Sequence, residues 1–375
     1  MKSLKTLICL ALSTTSVGAW AQSSVTLYGI ISAGVEYVSN EAGSHNIKML
    51  SGPNSNSRWG LRINEDLGAG LSAVAVLENG FDLMTGKFQQ GSREFGRQAW
   101  VGLSSATYGT LTAGRQYDMF WDFYLPLVPA AMNGLAISVG DNDNIFGGFR
   151  YSNSLKYVSP TYRGLKGEAL YAFSNKAGDF SQNRAVSAGV QYANSSFNIA
   201  AAYLNIDRPG VANPNGAVSD DYAGAPFQLF HRSPLSANVG VERQRQFGVG
   251  GGYTVGSFTV NAVFTDVRYS YLDATSLHLL NFDTTVGYRL TPATLLSVAY
   301  VYTNGHYGGI DANPHWHTLQ VSADYALSKR TDVYVFTDYM RSSGPLSLAP
   351  AAIWLNAPSS THTQAIVLAG IRHRF

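Results

Sequence analysis

Ser257-Phe258-Thr259-Val260-Asn261-Ala262-Val263-Phe264-Thr265 is a run of period two. Phe258, Val260, Ala262 and Phe264 fall on one face, while Ser257, Thr259, Asn261 and Thr265 fall on the other. Successive side chains of a strand point to opposite faces, so the run predicts a strand with one oily side. Phe197, Ile199, Ala201 and Tyr203 repeat the pattern, as do Val25, Leu27, Ile31, Val35 and Tyr37 facing away from Thr26, Ser32 and Glu36. Strands of about ten residues fit a tilted crossing of the hydrocarbon layer.

Composition narrows what such strands can build. Charged residues make up 13% of the chain, against roughly 25% in an ordinary soluble domain, while hydrophobic residues stand at 45%. No stretch after Ala21 approaches the roughly 20 apolar residues that a membrane helix needs, which excludes helical spanning. Two architectures remain: a soluble all-β secreted protein, or a barrel whose outer face meets lipid and whose inner face meets water.

The N-terminus favours export. Lys2 and Lys5 precede an apolar stretch from Leu7 to Leu12, small residues continue to Val17, and Ala19-Trp20-Ala21 offers small residues at a cleavage site. Residues 1–21 are expected to be a signal peptide and 22–375 the barrel domain. The only cysteine, Cys9, would leave with the signal, so no disulfide holds the exported chain. Losing Lys2 and Lys5 also takes the formal charge from +2 to zero. A balanced chain gives no argument for nucleic acid.

Sixteen strands are predicted, near 25–38, 57–66, 71–84, 94–105, 109–115, 149–159, 165–174, 184–194, 196–206, 242–254, 257–269, 277–290, 293–304, 315–327, 330–341 and 361–375. Their connectors alternate. Asp66 to Gly70, Ala106 to Gly109, Ala193 to Ser196, Val255 to Ser257, Leu290 to Pro292 and Leu327 to Lys329 are tight turns. Between them lie long segments, including 116–148, 207–241 and 342–360. Short turns on one side and long loops on the other are the plan of bacterial outer-membrane barrels. The final run to Phe375, with Thr363, Ala365, Val367, Ala369 and Ile371 alternating, suits a last strand that closes on the first. The 22 Tyr, 18 Phe and 6 Trp include Tyr28, Tyr37, Tyr151, Tyr157, Tyr253, Tyr269, Tyr271, Tyr300 and Tyr302 near strand ends, where aromatic girdles are expected.

Several ordered motifs carry a family resemblance. Ser24 to Gly29 (SVTLYG), Ser57 to Arg62 (SRWGLR) running into Glu65 to Leu71 (EDLGAGL), Gly96 to Leu103 (GRQAWVGL), Gly109 to Arg115 (GTLTAGR) and the terminal Arg372-His373-Arg374-Phe375 resemble the general porins of the Burkholderia, Bordetella and Neisseria type. The resemblance implies an all-β, sixteen-stranded antiparallel transmembrane barrel in the Gram-negative outer membrane, with the third long loop, here 116–148, folded into the lumen. It further implies a homotrimer set in outer-membrane lipid and lipopolysaccharide, passing small hydrophilic solutes. Phe375 would then be an assembly signal for periplasmic chaperones and the barrel-assembly machinery.

A passive pore discriminates by width and field, so its chemistry lies at the narrowest section. Arg58 and Arg62 stand opposite Trp59, Leu61 and Ile63, and alternation points both into the lumen. Arg97 matches the position of a wall arginine in the family, although it shares a face with Val101 and Leu103; an outward Trp100 would put it inside. Arg115 shares a face with Leu111 and Ala113 and would serve a subunit interface or brace the loop. Arg150 follows the loop as a further wall candidate. The loop brings Asp118 and Asp122 near its start and Asp141 and Asp143 near its end, but Leu125 to Ala136 holds no carboxylate. Enteric porins carry acids near the loop tip and a basic residue on the first strand, where this chain has Ile30. Wall arginines facing few acids predict a mild anion preference.

Other signals are weaker. His315 and His317 share a strand face without a nearby third ligand, so rim histidines are expected rather than a metal site. No nucleotide loop or spaced cysteine cluster calls for a cofactor. An outer-membrane enzyme is the rival class, but no paired motif for nucleophilic catalysis is present. An adhesin or phage-receptor role for 207–241 would coexist with the pore.

Overall fold

The computed structural model describes residues 23–218, 222 and 229–375. The expected signal segment lies outside them. Among the described residues, seventeen strand segments form one antiparallel sheet that closes on itself. They are β1 (Ser24–Glu41), β2 (Ser44–Ser51), β3 (Arg58–Gly68), β4 (Leu71–Gly80), β5 (Gln98–Ser105), β6 (Gly109–Gln116), β7 (Tyr151–Val158), β8 (Leu165–Ala172) and β9 (Arg184–Ala193). They continue as β10 (Phe197–Asp207), β11 (Val241–Val255), β12 (Phe258–Tyr271), β13 (Ser276–Thr291), β14 (Thr294–Gly308), β15 (His315–Ala326), β16 (Thr331–Ser343) and β17 (Thr363–Arg374).

Seventeen segments make sixteen barrel positions because β2 and β3 share one. The first half of β1 pairs with β3, Ser24 facing Asn64, while its second half pairs with β2, Ala33 facing Ser51. β2 is not among the sixteen strands expected from sequence, because its short apolar set of Ile47 and Met49 is diluted by His45, Asn46 and Lys48. Between the two arms, residues 52–57 leave the ladder. Pro53 has no N–H to contribute to it, Gly52 takes a left-handed turn with φ of +62°, and Ser57 replaces the missing bonds by exchanging hydrogen bonds with the Ser32 backbone.

Closure is made by the last residue. The Phe375 N–H donates to the Gly29 carbonyl and the Gly29 N–H to the Phe375 carbonyl, both at 3.1 Å. From there β17 runs along β1, Arg374 opposite Ile30 and Ile366 opposite Val38. Val367, Ile371 and Phe375 face outward, while Ile366, Leu368 and Arg372 are buried inside.

The connectors alternate as the barrel plan requires. Residues 69–70, 106–108, 159–164, 194–196, 256–257, 292–293 and 327–330 form the tight end, on which both described termini also lie. The other end carries 81–97, 117–150, 173–183, the described parts of 208–240 (208–218, 222 and 229–240) and 344–362, although 272–275 and 309–314 there are short too. Facing follows the alternation: in β12, Phe258 and Val260 are exposed, whereas Asn261, Thr265 and Tyr269 are buried in the interior. The aromatic girdles are thinner than expected. Tyr37, Tyr157, Tyr253 and Tyr300 do face out, but Tyr151, Tyr269 and Tyr271 point inward and are buried, and Tyr28 hydrogen-bonds the wall carboxylate Glu78. Nearness to a strand end does not set facing; parity does.

The wall is uneven in height. Strands β5 to β8 have eight residues each, whereas β11 to β14 have 14 to 16.

Candidate functional site

Alternation and the closed sheet bring β3, β4 and the start of β5 together as a charged patch of inner wall. Arg97 Nε donates to Glu78 Oε1 at 2.7 Å, and Arg58 Nε lies 3.8 Å from Glu78 Oε2. Tyr28 donates its hydroxyl to the same carboxylate at 2.9 Å, and the Arg62 guanidinium lies over the Tyr28 ring. Two guanidiniums therefore share one carboxylate, which leaves the patch positive. Arg97 is inside although Trp100 is inward too, because it precedes the ladder that begins at Gln98 and is not bound by its parity. Glu78 is not among the wall residues expected from sequence, though its place on β4, in register with Gln98 and Gly60, makes it an inward residue.

The segment from Tyr117 to Arg150 starts on this wall and ends its contacts on the far one. Tyr117 stacks on Trp121 at 4.0 Å, and its hydroxyl accepts from Arg150 Nε and Nη2 at 3.0 and 2.7 Å. A short helix, α1 (Met119–Tyr124), follows with Asp118 capping it by accepting from the Trp121 N–H. Across the lumen, the Met132 carbonyl accepts from Ser297 and Ser322 on β14 and β15, and Gln320 Oε1 accepts from the Ala136 N–H at 2.7 Å. Asn133 accepts from Arg372 Nη2 on β17 and from Asn54 Nδ2 in the 52–57 detour, each at 2.7 Å. The fit is close enough that a Cβ on Gly134 would lie 1.7 Å from Gln320 Nε2.

The four loop acids are committed elsewhere than the open space. Asp122 pairs with Lys156 of β7, which also lies 3.5 Å from Glu168. Asp141 accepts from the Phe146 and Gly148 N–H groups, and Asp143 accepts from Ser138 and from Thr265 on β12. Burial, reinforced by the Asp122 charge, pushes the Asp118 carboxyl up to about 7. Burial beside Asp143 likewise raises Asp141 well above the ordinary carboxylate range. Arg115 is drawn into the loops as well, donating to the Gly96 carbonyl at 2.8 Å and to Ser152 at 2.9 Å. Its side of the strand is where a bulge between Gly114 and Gln116 breaks the register.

Between the wall and the loop lies a cavity of about 250 Å³. Arg58 and Arg97 line one side, and Trp121, Leu125, Pro126 and Leu135 line the other. A second opening toward the tight-turn end is lined by Arg289, Lys329, Arg372 and Arg374 against Asp324 and Asp332. Arg372 and Arg374 both reach Asp332, at 3.1 and 2.6 Å. The terminal motif, expected only as a family signature, also faces the lumen: Arg372 shares its face with the inward Ile366 and Leu368. His315 and His317 sit on the outer face with Tyr300 and Tyr302, and no group of three metal-ligating side chains occurs among the described residues.

A closed antiparallel barrel with an apolar exterior, a polar and charged lumen and a long segment lying across it defines an outer-membrane channel. Comparison with known proteins gives the family: the Gram-negative porin model matches residues 6–345, and the chain belongs to that family. An outer membrane porin of Bordetella pertussis is 29% identical over 99% of this chain and all of its own length. Among solved structures, an anion-selective porin from Comamonas acidovorans superposes with a TM-score of 0.75 at 21% identity, covering 94% of this chain and 100% of that one. The trimer form of OmpT from Vibrio cholerae gives 0.68 at 13% identity, covering 94% and 99%. The protein is thus an outer-membrane porin, a passive diffusion pore rather than an enzyme.

Proposed function

We propose that this pore passes small hydrophilic solutes with a mild preference for anions, and that its constriction lies between Arg58 and Arg97 on the wall and Leu125 to Leu135 on the loop. The observation that carries the reading is the imbalance of charge at the cavity: two arginines with one carboxylate face a loop surface that presents none. The basic excess at the second opening, four cationic side chains to two acidic, acts in the same sense. Charged rings and walls of this kind bias ion flow without binding an ion tightly. The solved Comamonas porin, described as anion-selective, has a barrel of the same form. Planar-bilayer reversal potentials in a potassium chloride gradient test the reading. A chloride-over-potassium preference is expected, and a clear cation preference would overturn it.

The pore is proposed to work as a homotrimer joined along the low side of the wall, from β4 to β8. Eight tilted residues rise about 20 Å, less than the roughly 25 Å apolar band of such barrels, so covering that side with a neighbour relieves the mismatch with lipid. Val101, Leu103 and Leu111 supply exposed apolar surface there. Leu111→Asn is expected to lower the temperature at which the oligomer band is lost in unboiled gels, whereas Val298→Asn on the tall side is not. Equal effects at both sites would argue against this interface. Recognition of Phe375 by the assembly machinery, cleavage after Ala21 and lipopolysaccharide at the rim complete the proposal.

A further inference from the structure

The cavity described above is not symmetric in chemistry. One side is cationic, with the Arg58 and Arg97 guanidiniums sharing Glu78. The other is a ridge of Trp121, Leu125, Pro126 and Leu135, and at its far end Phe146 packs on Trp354 of the 344–362 loop with ring centroids 5.4 Å apart. The Met132 carbonyl and the Ala136 N–H, at the loop's middle, are turned to the walls, so the ridge offers a passing solute mainly carbon.

Such a section treats two anions of equal charge differently. A strongly hydrated anion meets the arginines on one side but loses water against the ridge on the other and gains nothing in return. An anion with an apolar ring places its carboxylate toward the partly exposed Arg58 guanidinium, a planar donor suited to carboxylates, and lays its ring along the ridge. Burying apolar area there is favourable. The cavity, at about 250 Å³, is of a scale that suits a single ring, below the roughly 300–1,000 Å³ of sites for drug-sized ligands.

We infer that the constriction favours small carboxylates with an aromatic or alicyclic body over hydrophilic anions of the same charge. This rests on the proposed anion preference and extends it to a substrate class. The site is a passage, so the preference is expressed as relative permeability and brief residence rather than tight binding.

Bi-ionic reversal potentials on the reconstituted full-length protein test it. Sodium benzoate, cyclohexanecarboxylate and quinate, the last a polyhydroxylated cyclohexane carboxylate, are each measured against chloride and corrected for mobility in free solution. Benzoate and cyclohexanecarboxylate are expected to exceed quinate by threefold or more. Benzoate is also expected to shorten open-channel current with millisecond interruptions that neutral benzyl alcohol does not cause. Leu125→Gln should bring the ratio of cyclohexanecarboxylate to quinate toward one.

Equal corrected permeabilities in the wild-type protein would overturn this inference while a chloride-over-potassium preference left the anion reading standing. A potassium preference would overturn both. An unchanged ratio in an assembled Leu125→Gln protein would remove the ridge as its cause. If that variant does not assemble, the wild-type comparison decides alone.

Discussion

Arg58→Glu is expected to shift the permeability ratio of chloride to potassium by on the order of tenfold toward cations, the largest change any single side chain of the lumen should produce. The wall patch passes from a net positive charge, two arginines with Glu78, to a net negative one. A unit charge about 5 Å from a permeating ion in a water-like dielectric is worth roughly 1 kcal/mol, and salt near 0.1 M removes part of it. The change acts in opposite senses on chloride and potassium, which doubles its effect on the ratio. Arg58 suits the experiment because its side chain is partly exposed and its Nη1 donates only to the Asn56 carbonyl of the detour, at 3.2 Å. Arg97 is less suitable, being fully enclosed against Glu78, where removal would leave that carboxylate short of its strongest donor. Arg62→Ala added to Arg58→Ala should contribute less than Arg58 alone, since Arg62 lies over Tyr28 and is not among the residues lining the cavity. The measurement is a reversal potential at 0.1 M and again at 1 M salt, where screening should shrink the shift. A ratio that does not move in a normally assembled Arg58→Glu protein would take this wall out of the selectivity mechanism.

Gly29→Val should prevent the barrel from closing. A Cβ at Gly29 would stand 2.4 Å from Phe375 Cζ and 2.7 Å from the Arg58 carbonyl, and the second contact is backbone that cannot swing away. Gly29 is also the residue that exchanges both ladder bonds with Phe375, so displacing it opens the first edge of the sheet to the last. An open edge inside a membrane leaves unpaired backbone groups, each costing several kcal/mol. The expected result is a fall of tenfold or more in the heat-modifiable folded band, with the remainder aggregated or degraded. Deleting Phe375 removes the same two bonds and the ring that covers Gly29 but adds no clash, so it should lower folded yield less in refolding from urea. Any barrels that do form should conduct normally, because Phe375 faces out rather than into the lumen. Folding yields for Gly29→Val equal to those of the unaltered chain would show that closure does not depend on this contact.

The sequence was most legible where the barrel imposes its own rule. Phe258, Val260, Ala262 and Phe264 face lipid because a strand offers only two faces and water occupies the other side. The same rule makes Arg58, Arg62, Glu78 and Arg372 inward residues, and only the first two were read that way, because runs of apolar residues draw attention that single charges do not. The rule fails where the chain leaves the ladder. Arg97 lies one residue before β5, Arg115 lies at a bulge, and residues 52–57 interrupt the position that β2 and β3 share. In each case the direction of the side chain is set by the local path of the backbone.

The loop was legible in composition and not in geometry. Its middle, Leu125 to Ala136, visibly lacks acids, and that feature underlies the proposed selectivity. Asp118, Asp122, Asp141 and Asp143 gave no sign in sequence of being turned into helix capping, an ion pair with Lys156 and wall contacts with Thr265. Their partners lie 3 to 122 residues away, and no pattern of period two relates a loop residue to the wall opposite.

By itself, the sequence determined that the chain is all-β, which residues face lipid, where the tight turns fall and that the ends meet. Those properties depend on neighbours along a strand and on a two-sided environment, and both are written in alternation. The tertiary structure alone decided which charges share the lumen's open space and which are consumed in holding the loop. Whether a guanidinium or a carboxylate is free to act on a solute depends on which groups closure brings within about 4 Å of it, and those groups come from strands and loops far apart in the chain.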